Sequence, residues 1–386
     1  MAQKILKLIK NFFIRLENFK QNFFLNSKKN YDVFIYDAVF ARPIIECVPS
    51  SKKIYVMKTR ELYFYLNLNF IRYFLFFFLR KELFFFIFIY GLKKGIFRYG
   101  YDSFYAALIS QINPKVIITN VDNNPRFGRL FLKFKNIRFV TIQNGSSTRW
   151  EDAESCINDI FLSFTSKEAL TFNKLGWIIN HNYSVGSLNA ARIFSRAKPK
   201  KEKRDILIIS TWWRGNQEQL KAMEEMHIYL NKLIRKEKYN AEIILRNQRK
   251  SNDCYLNDLD VNEAEFYKKI YGYGCKIIEN RNSREDIYKE INESYLSVSL
   301  LSSAILEGHL YGHNCFYLNF HKDNYYHQDF PSEIVLSKTN LDYMSFEISK
   351  KIKDSKIRNS EIMSISKTRS EITLKKIKQI INESFK

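Results

Sequence analysis

The sequence predicts an α/β protein of two parallel-sheet domains, and three observations carry that prediction. Short apolar runs that read as buried strands alternate with helical patterns along most of the chain. The alternation occurs twice, on either side of a basic stretch at residues 194–204 that holds Lys198, Pro199, Lys200, Lys201, Lys203 and Arg204. The length of 386 residues exceeds what one ordinary core organises, and 46% apolar residues suffice for two cores.

Residues 1–26 place Ile5, Leu8, Phe12, Leu16, Phe19 and Phe23 at helical spacing among lysines and arginines. Charge interrupts the run and no small-residue cleavage site follows, so it reads as neither a signal peptide nor a membrane span. Two readings fit: a basic amphipathic helix on an anionic leaflet, or a stripe packed on the protein body. A strand at 33–36 then ends in Asp37, and a second at 53–57 is followed by Lys58 and Arg60. Polar residues at strand ends are what an open α/β sheet presents to its ligand crevice. The apolar blocks 74–79 and 83–90 are too short to span a bilayer, which needs about 20 residues. They read as helices, and burial in the core is the expectation over dipping into a membrane interface.

From residue 104 the pattern is regular. A helix to Ile112 precedes strand 115–119, which ends in Asn120, Asp122, Asn123 and Asn124; a helix after Pro125 precedes strand 138–142, which ends in Gln143, Asn144 and Gly145. Asn, Asp and Gly are good turn formers, which accounts easily for one such cluster and less easily for two at equivalent strand ends. Asp122 fits a general base and Asn144 a hydrogen-bond donor to a sugar or phosphate. Strand 159–164, helix 166–175 and a short strand at 183–185 close the first half.

The second half restarts with strand 205–210, whose exit turn carries Trp212, Trp213 and Arg214. Helix 217–235 leads to strand 242–245, ended by Arg246, Asn247, Gln248 and Arg249. Ser283 and Asp286 open a helix. Strand 295–299, a turn with Ser302 and Ser303, a helix carrying Glu307, a break at Gly312 and a strand ending at Asn319 follow. In that unit backbone N–H groups and hydroxyls open a helix where a phosphate can sit. Arg214, Arg246 and Arg249 come from strand ends of the same half, where they can converge on phosphates. Lys-rich helical segments finish the chain. The expected organisation is a basic helix at 1–28, domains at 29–193 and 205–345 joined by a linker at 194–204, and helices at 346–386.

Lys+Arg number 62 against 40 Asp+Glu, a net charge of +22, which calls for anionic surroundings. No nucleic-acid-binding motif accompanies the charge, and the aromatics sit in apolar runs, so nucleic acid is not expected as a partner. The five cysteines are scattered and form no C-x-x-C pair, so they read as reduced structural thiols. No metal site is expected. His309 and His313 have a ligand spacing broken by Gly312, and Asp258-x-Asp260 lies in a polar segment that reads as a solvated loop. P-loop, dinucleotide-binding and nucleophile-elbow motifs are absent.

The segments 114–124 (PKVIITNVDNN), 142–145 (IQNG), 185–188 (VGSL), 245–247 (LRN) and 302–320 resemble, in their order, the GT-B class of glycosyltransferases. More narrowly the chain looks like bacterial capsule and lipopolysaccharide biosynthesis proteins, related to Kdo and CDP-glycerol glycerophosphate transferases. The resemblance covers residues 33–320. It implies two Rossmann-like domains facing a cleft, the first binding an acceptor and the second a nucleotide-activated donor, with a C-terminal helical segment. It points to Ser302, Ser303, Glu307 and Gly308 as donor contacts, which join Arg214 and Arg246 from the strand-end reading. Acceptor or cleft contacts fall to Arg60, Asn123, Gln143, Asn144 and Gly145. Asn144 stands where relatives carry a histidine, and an amide cannot serve as a general base, so Asp37 or Asp122 is expected in that role. Leu245-Arg246-Asn247 stands where glycerophosphate transferases have Arg-Pro-His.

The implied activity is metal-independent transfer of a sugar from a nucleotide sugar to a lipid-linked or polysaccharide acceptor. No cofactor beyond that donor is expected, and the implied location is the cytoplasmic face of the bacterial inner membrane, on an anionic surface. The alternatives are transfer of a polyol phosphate on the same fold and a non-catalytic protein that binds membrane or nucleic acid.

Overall fold

The structure is a computed structural model. It describes residues 31–385 apart from 39–40, 58–67, 146–155, 199–202, 212–216, 246–260, 273, 279–284 and 323–329. The expected amphipathic helix at 1–28, Arg60, Arg214, Arg246, Arg249 and the Asp258-x-Asp260 pair lie outside the described residues.

The described residues build two six-stranded sheets, each parallel throughout. The first comprises β1 (Val33–Ile35), β2 (Ile54–Val56), β3 (Val116–Thr119), β4 (Arg138–Ile142), β5 (Ile157–Ser163) and β6 (Ile178–Ser184), in the order β2-β1-β3-β4-β5-β6. Its connections are α1 (Ala41–Ile45), a run of α2 (Leu68–Phe78), α3 (Glu82–Tyr90) and α4 (Leu92–Ile112), then α5 (Pro125–Lys133) and α6 (Ser166–Lys174). Helix α7 (Leu188–Phe194) leads to the second sheet. This comprises β7 (Arg204–Ile209), β8 (Ala241–Ile244), β9 (Lys276–Ile278), β10 (Ser294–Ser299), β11 (Cys315–Asn319) and β12 (Val335–Ser337), in the order β12-β11-β10-β7-β8-β9. Its helices are α8 (Gln217–Glu237), α9 (Val261–Tyr271), α10 (Glu285–Asn292) and α11 (Ser303–Leu310), and the chain ends in α12 (Leu341–Ile357) and α13 (Asn359–Glu383).

Local chemistry sets these elements. The strands β3 and β11 are buried along their whole length, as parallel strands covered on both faces must be. Helix α5 is opened by Asn124, whose Oδ1 accepts the Arg126 N–H at 3.0 Å, with Pro125 in the first turn. Thr165 and Ser187 cap α6 and α7 in the same way. Helix α4 ends at Asn113 in the left-handed region just before Pro114.

The core follows the layers. One face of the first sheet packs Phe34, Ile117 and Phe139 against Tyr105, Ile109 and Phe127. The opposite face packs Val33, Ile118 and Val140 against Leu188 and against Ile377, Ile380 and Ile381 of α13. The last helix therefore returns from the second sheet to complete the core of the first. Helix α7 starts among these residues and ends in the other core, where Ala190, Ala191 and Phe194 pack with Ile206 and Leu296.

Three sequence expectations change. Helix α4 begins at Leu92 rather than near 104. Its first half carries Gly95, where an added Cβ would stand 2.6 Å from the Phe86 carbonyl oxygen, so close packing on α3 and not a clean apolar stripe holds it. Strand β6 has seven residues because edge position tolerates its polar sequence, and it is largely exposed. The apolar blocks in α2 and α3 are helical as expected but only partly core: Phe77 is buried with Phe74 packed beside it, whereas Phe76, Leu79, Phe84, Phe85 and Phe88 face solvent.

Candidate active site

In an open parallel sheet, ligands bind at the carboxyl ends of the strands where the strand order reverses, because the helices leaving two neighbouring strands cover opposite faces and leave a crevice. In the first sheet the reversal lies between β1 and β3. Asp37 follows β1, and Asn120 and Asp122 follow β3, so two of the expected carboxylates flank that crevice. In the second sheet the reversal lies between β7 and β10. Ser210 follows β7, and Ser302 and Ser303 follow β10 at the start of α11.

The exit turn of β4 is built by two side chains. Asp122, buried, accepts the Asn144 N–H at 2.9 Å and so ties the β3 exit to the β4 exit. Gln143, also buried, takes the Phe164 N–H on its Oε1 at 2.7 Å and donates from Nε2 to the Gly145 carbonyl at 3.0 Å and to Glu168 Oε1 at 3.1 Å. Its amide is thus spent on shaping the turn, while Asn123, Asn144 and Gly145 stay half-buried at its surface. Thr119 steadies the β3 exit by accepting the Val121 N–H at 3.1 Å.

Asn120 went unmarked as a site residue within its sequence cluster. It is 1% exposed, and among the described residues neither its Oδ1 nor its Nδ2 has a hydrogen-bond partner. Burying an amide without partners costs free energy, and such groups concentrate where something else is to be bound. Polarity at a strand end was the only sequence signal for it.

Across the cleft, Ser302 occupies the N-cap of α11 and makes no side-chain cap bond. Its own N–H is held by Ser299 Oγ at 3.2 Å, and Ser299 in turn donates to the Ile209 carbonyl at 2.8 Å, which locks β10 to β7. A Cβ placed on Gly145 would stand 3.5 Å from Ser303 Oγ, so the β4 exit of one domain meets the α11 start of the other. Gly145 and Ser303, singled out in the sequence at two different strand ends, come together at this point.

Glu307 organises the meeting. Its carboxylate is buried and receives Tyr288 Oη at 2.6 Å, Ser303 Oγ at 3.1 Å and, from the first domain, Ser187 Oγ. Ser187 also caps α7, and its carbonyl accepts Tyr311 Oη at 2.8 Å. Thr373 of α13 reaches the same knot by donating to the Val185 carbonyl at 2.8 Å. Burial pushes the Tyr311 phenol up, so it stays a neutral donor. Gly186 has φ of +89°, and an added Cβ would stand 2.8 Å from Tyr311 Oη, so only glycine fits there. Helix α7 is anchored from below by Arg192, which is buried and forks onto Glu46 with both contacts at 2.8 Å; hydrogen bonding to that guanidinium lowers the Glu46 carboxyl pKa.

Gly308 faces away from the crevice. An added Cβ would stand 2.7 Å from Cys315 Sγ and 3.4 Å from Ile291 Cγ2, so its position serves the packing of α11 on β11 and α10. His309 and His313 diverge: His309 lies 3.7 Å from Glu333, and His313 Nε2 lies 3.0 Å from Ser366 Oγ. Among the described residues no group of three or more His, Cys, Asp or Glu is placed to hold a metal ion. A second cluster missed from sequence adjoins the β7 exit, where Tyr267 donates to Ser210 at 2.7 Å and Ser210 donates to the buried Glu263.

Two Rossmann-like domains with their carboxyl strand ends facing each other, and a last helix crossing back, define the GT-B fold. The chain is similar in structure to the UDP-GlcNAc 2-epimerase from Neisseria meningitidis bound to UDP-GlcNAc, at 10% identity over 91% of this chain and 98% of that one, TM-score 0.52. It is similar to UDP-N-acetylglucosamine 2-epimerase from Rickettsia bellii at 11% identity over 91% and 95%, TM-score 0.51. The wall teichoic acid polymerase TagF aligns over 98% of both chains at 13% identity, with a TM-score of 0.45 too low to carry an argument. At such identities the likeness establishes the fold alone. No protein-family model matches the chain, and no curated protein sequence does.

Proposed function

We propose that this protein is a glycosyltransferase that moves a sugar from a nucleotide-activated donor to a surface glycan or lipid-linked acceptor, as in lipopolysaccharide or capsule assembly. The observation that carries the reading is the opposition of Gly145 and Ser303, which sets the crevice of the first sheet against that of the second. Such an arrangement suits a two-substrate transfer, with one substrate held by each domain and the reacting atoms between them.

In this reading the donor diphosphate sits at the start of α11, where the early helix N–H groups and the Ser302 hydroxyl meet developing negative charge. Arg214 and Arg246 supply the cations that neutralise the leaving phosphate, in place of a metal ion. Glu307 acts through Ser303, Ser187 and Tyr288, holding the phosphate turn in register with the acceptor domain. Asp37 or Asp122 takes the proton from the acceptor hydroxyl as it attacks the anomeric carbon. The Asp122 contact with the Asn144 N–H orients that carboxylate and couples it to the turn facing Ser303.

The test is thermal stabilisation across CMP, CDP, UDP, GDP and TDP with and without magnesium, followed by product analysis with the nucleotide sugar of the stabilising base. A shift with one nucleotide that is indifferent to magnesium, and lost in Arg246→Ala, is expected. Phosphorus in the product would move the reading to polyol-phosphate transfer. Conversion of the donor sugar without any acceptor, or no shift with any nucleotide, would refute it.

A further inference from the structure

The largest feature that the cleft does not use is the helical hairpin α2-α3-α4. Helix α3 (sequence ELFFFIFIY) is apolar on every side and contributes no buried residue. Phe76, Leu79, Phe84, Phe85 and Phe97 are each more than 60% exposed and Phe88 is 89% exposed. With Ile71, Leu75, Ile89, Leu92 and Ile96 they offer on the order of 1,000 Å² of apolar surface, taking about 200 Å² for a large side chain. Monomeric proteins rarely expose patches beyond about 300–600 Å², and larger ones mark interaction sites.

The surround of this patch is cationic. Arg72, Arg80, Lys81, Lys93, Lys94 and Arg98 fall between residues 68 and 98, against one acid, Glu82. All six are exposed. Arg80 lies 5.6 Å from the Phe76 ring centroid and Arg98 4.3 Å from that of Tyr90, so the cations cling to the rim of the aromatic surface. The charge argues against a second copy of the chain as occupant, since a two-fold contact would set six cations against six. An anionic lipid surface answers both features, apolar centre and basic rim.

The hairpin packs along α5: Asp102, halfway along α4, pairs with Arg126 at 3.0 Å and Arg129 at 2.6 Å. Lys133 in the last turn of α5 stands 5.0 Å from the Tyr99 ring centroid and 5.9 Å from that of Phe77. The nine residues of α3 cover about 14 Å, half a bilayer core, and no described helix is long and apolar enough to cross one.

We propose that α2-α3-α4 is a membrane-docking element that inserts its phenylalanines into the interface of an anionic leaflet. This rests on the surface of the hairpin and not on the transfer reaction, and its test needs no turnover. The 386-residue protein is floated with phosphatidylcholine vesicles, with and without phosphatidylglycerol. Wild type is expected on the anionic vesicles and released by salt. Phe84→Ser/Phe88→Ser is expected to bind at least about tenfold more weakly, since two inserted rings are lost. Lys93→Glu/Lys94→Glu is expected to lose its preference for phosphatidylglycerol. All four positions are exposed, so melting temperatures should match wild type. Binding of the serine variant equal to wild type would place membrane contact elsewhere in the chain and overturn the proposal. So would failure of wild type to float, or a dimer that the serine variant loses.

Discussion

Glu307→Ala tests the idea that one carboxylate holds the two domains in register. The substitution leaves three hydroxyls without their acceptor. Ser303 is half-buried and can turn to water, but Ser187 and Tyr288 are 1% and 5% exposed. Leaving two buried donors unsatisfied costs about 1–3 kcal/mol each, and the emptied side-chain volume adds to this, while relief of carboxylate desolvation subtracts. A net loss of about 3 kcal/mol follows, which for domains of this size lowers the melting temperature by roughly 6–12 °C. Glu307→Gln retains an acceptor oxygen and should cost about 1 kcal/mol. Scanning calorimetry reads both. The decisive comparison is the double variant Glu307→Ala/Tyr288→Phe, which removes donor and acceptor together and should be less destabilised than the two single losses summed. Full additivity, or a Glu307→Ala melting temperature equal to wild type, would refute the account.

Gly308→Ala forces a methyl against Cys315 Sγ and should cost about 1–3 kcal/mol by overpacking, with Cys315→Ala in the same chain restoring most of it; melting curves of the three variants decide. Asn120→Leu removes an amide that has no partner among the described residues, so stability should hold or rise while acceptor turnover falls at least about tenfold; unchanged turnover would strip Asn120 of a binding role. Burial takes His227 and His313 down to about 3 from 6.5, so both stay neutral when folded. Below pH 6.5 the unfolded chain takes up protons that the native state refuses, and stability falls as pH drops through that window. The pair contributes up to roughly 4 kcal/mol of loss by about pH 5, read by urea unfolding, and His227→Gln should halve the slope.

The sequence by itself determined the two parallel sheets, because strands buried on both faces need unbroken apolar runs and crossover helices need a long polar-apolar period. The runs at 116–119, 138–142 and 315–319 show the first. It also marked the strand ends, since Asn120, Asp122, Gln143 and Asn144 follow two of those runs, and Ser302 and Ser303 the strand at 294–299, with hydrogen-bonding groups. Only the tertiary structure decided which of these work as a unit. The bond from Asp122 to the Asn144 N–H joins residues 22 apart, and that from Ser187 to Glu307 joins residues 120 apart; no local pattern encodes either. The return of α13 to the first core depends in the same way on where two domains place their faces. Exposure of α3 is the clearest case. A run of phenylalanines has the same composition whether a core or a bilayer is to cover it, and only the packing of α2 and α4 around it shows which side is left open.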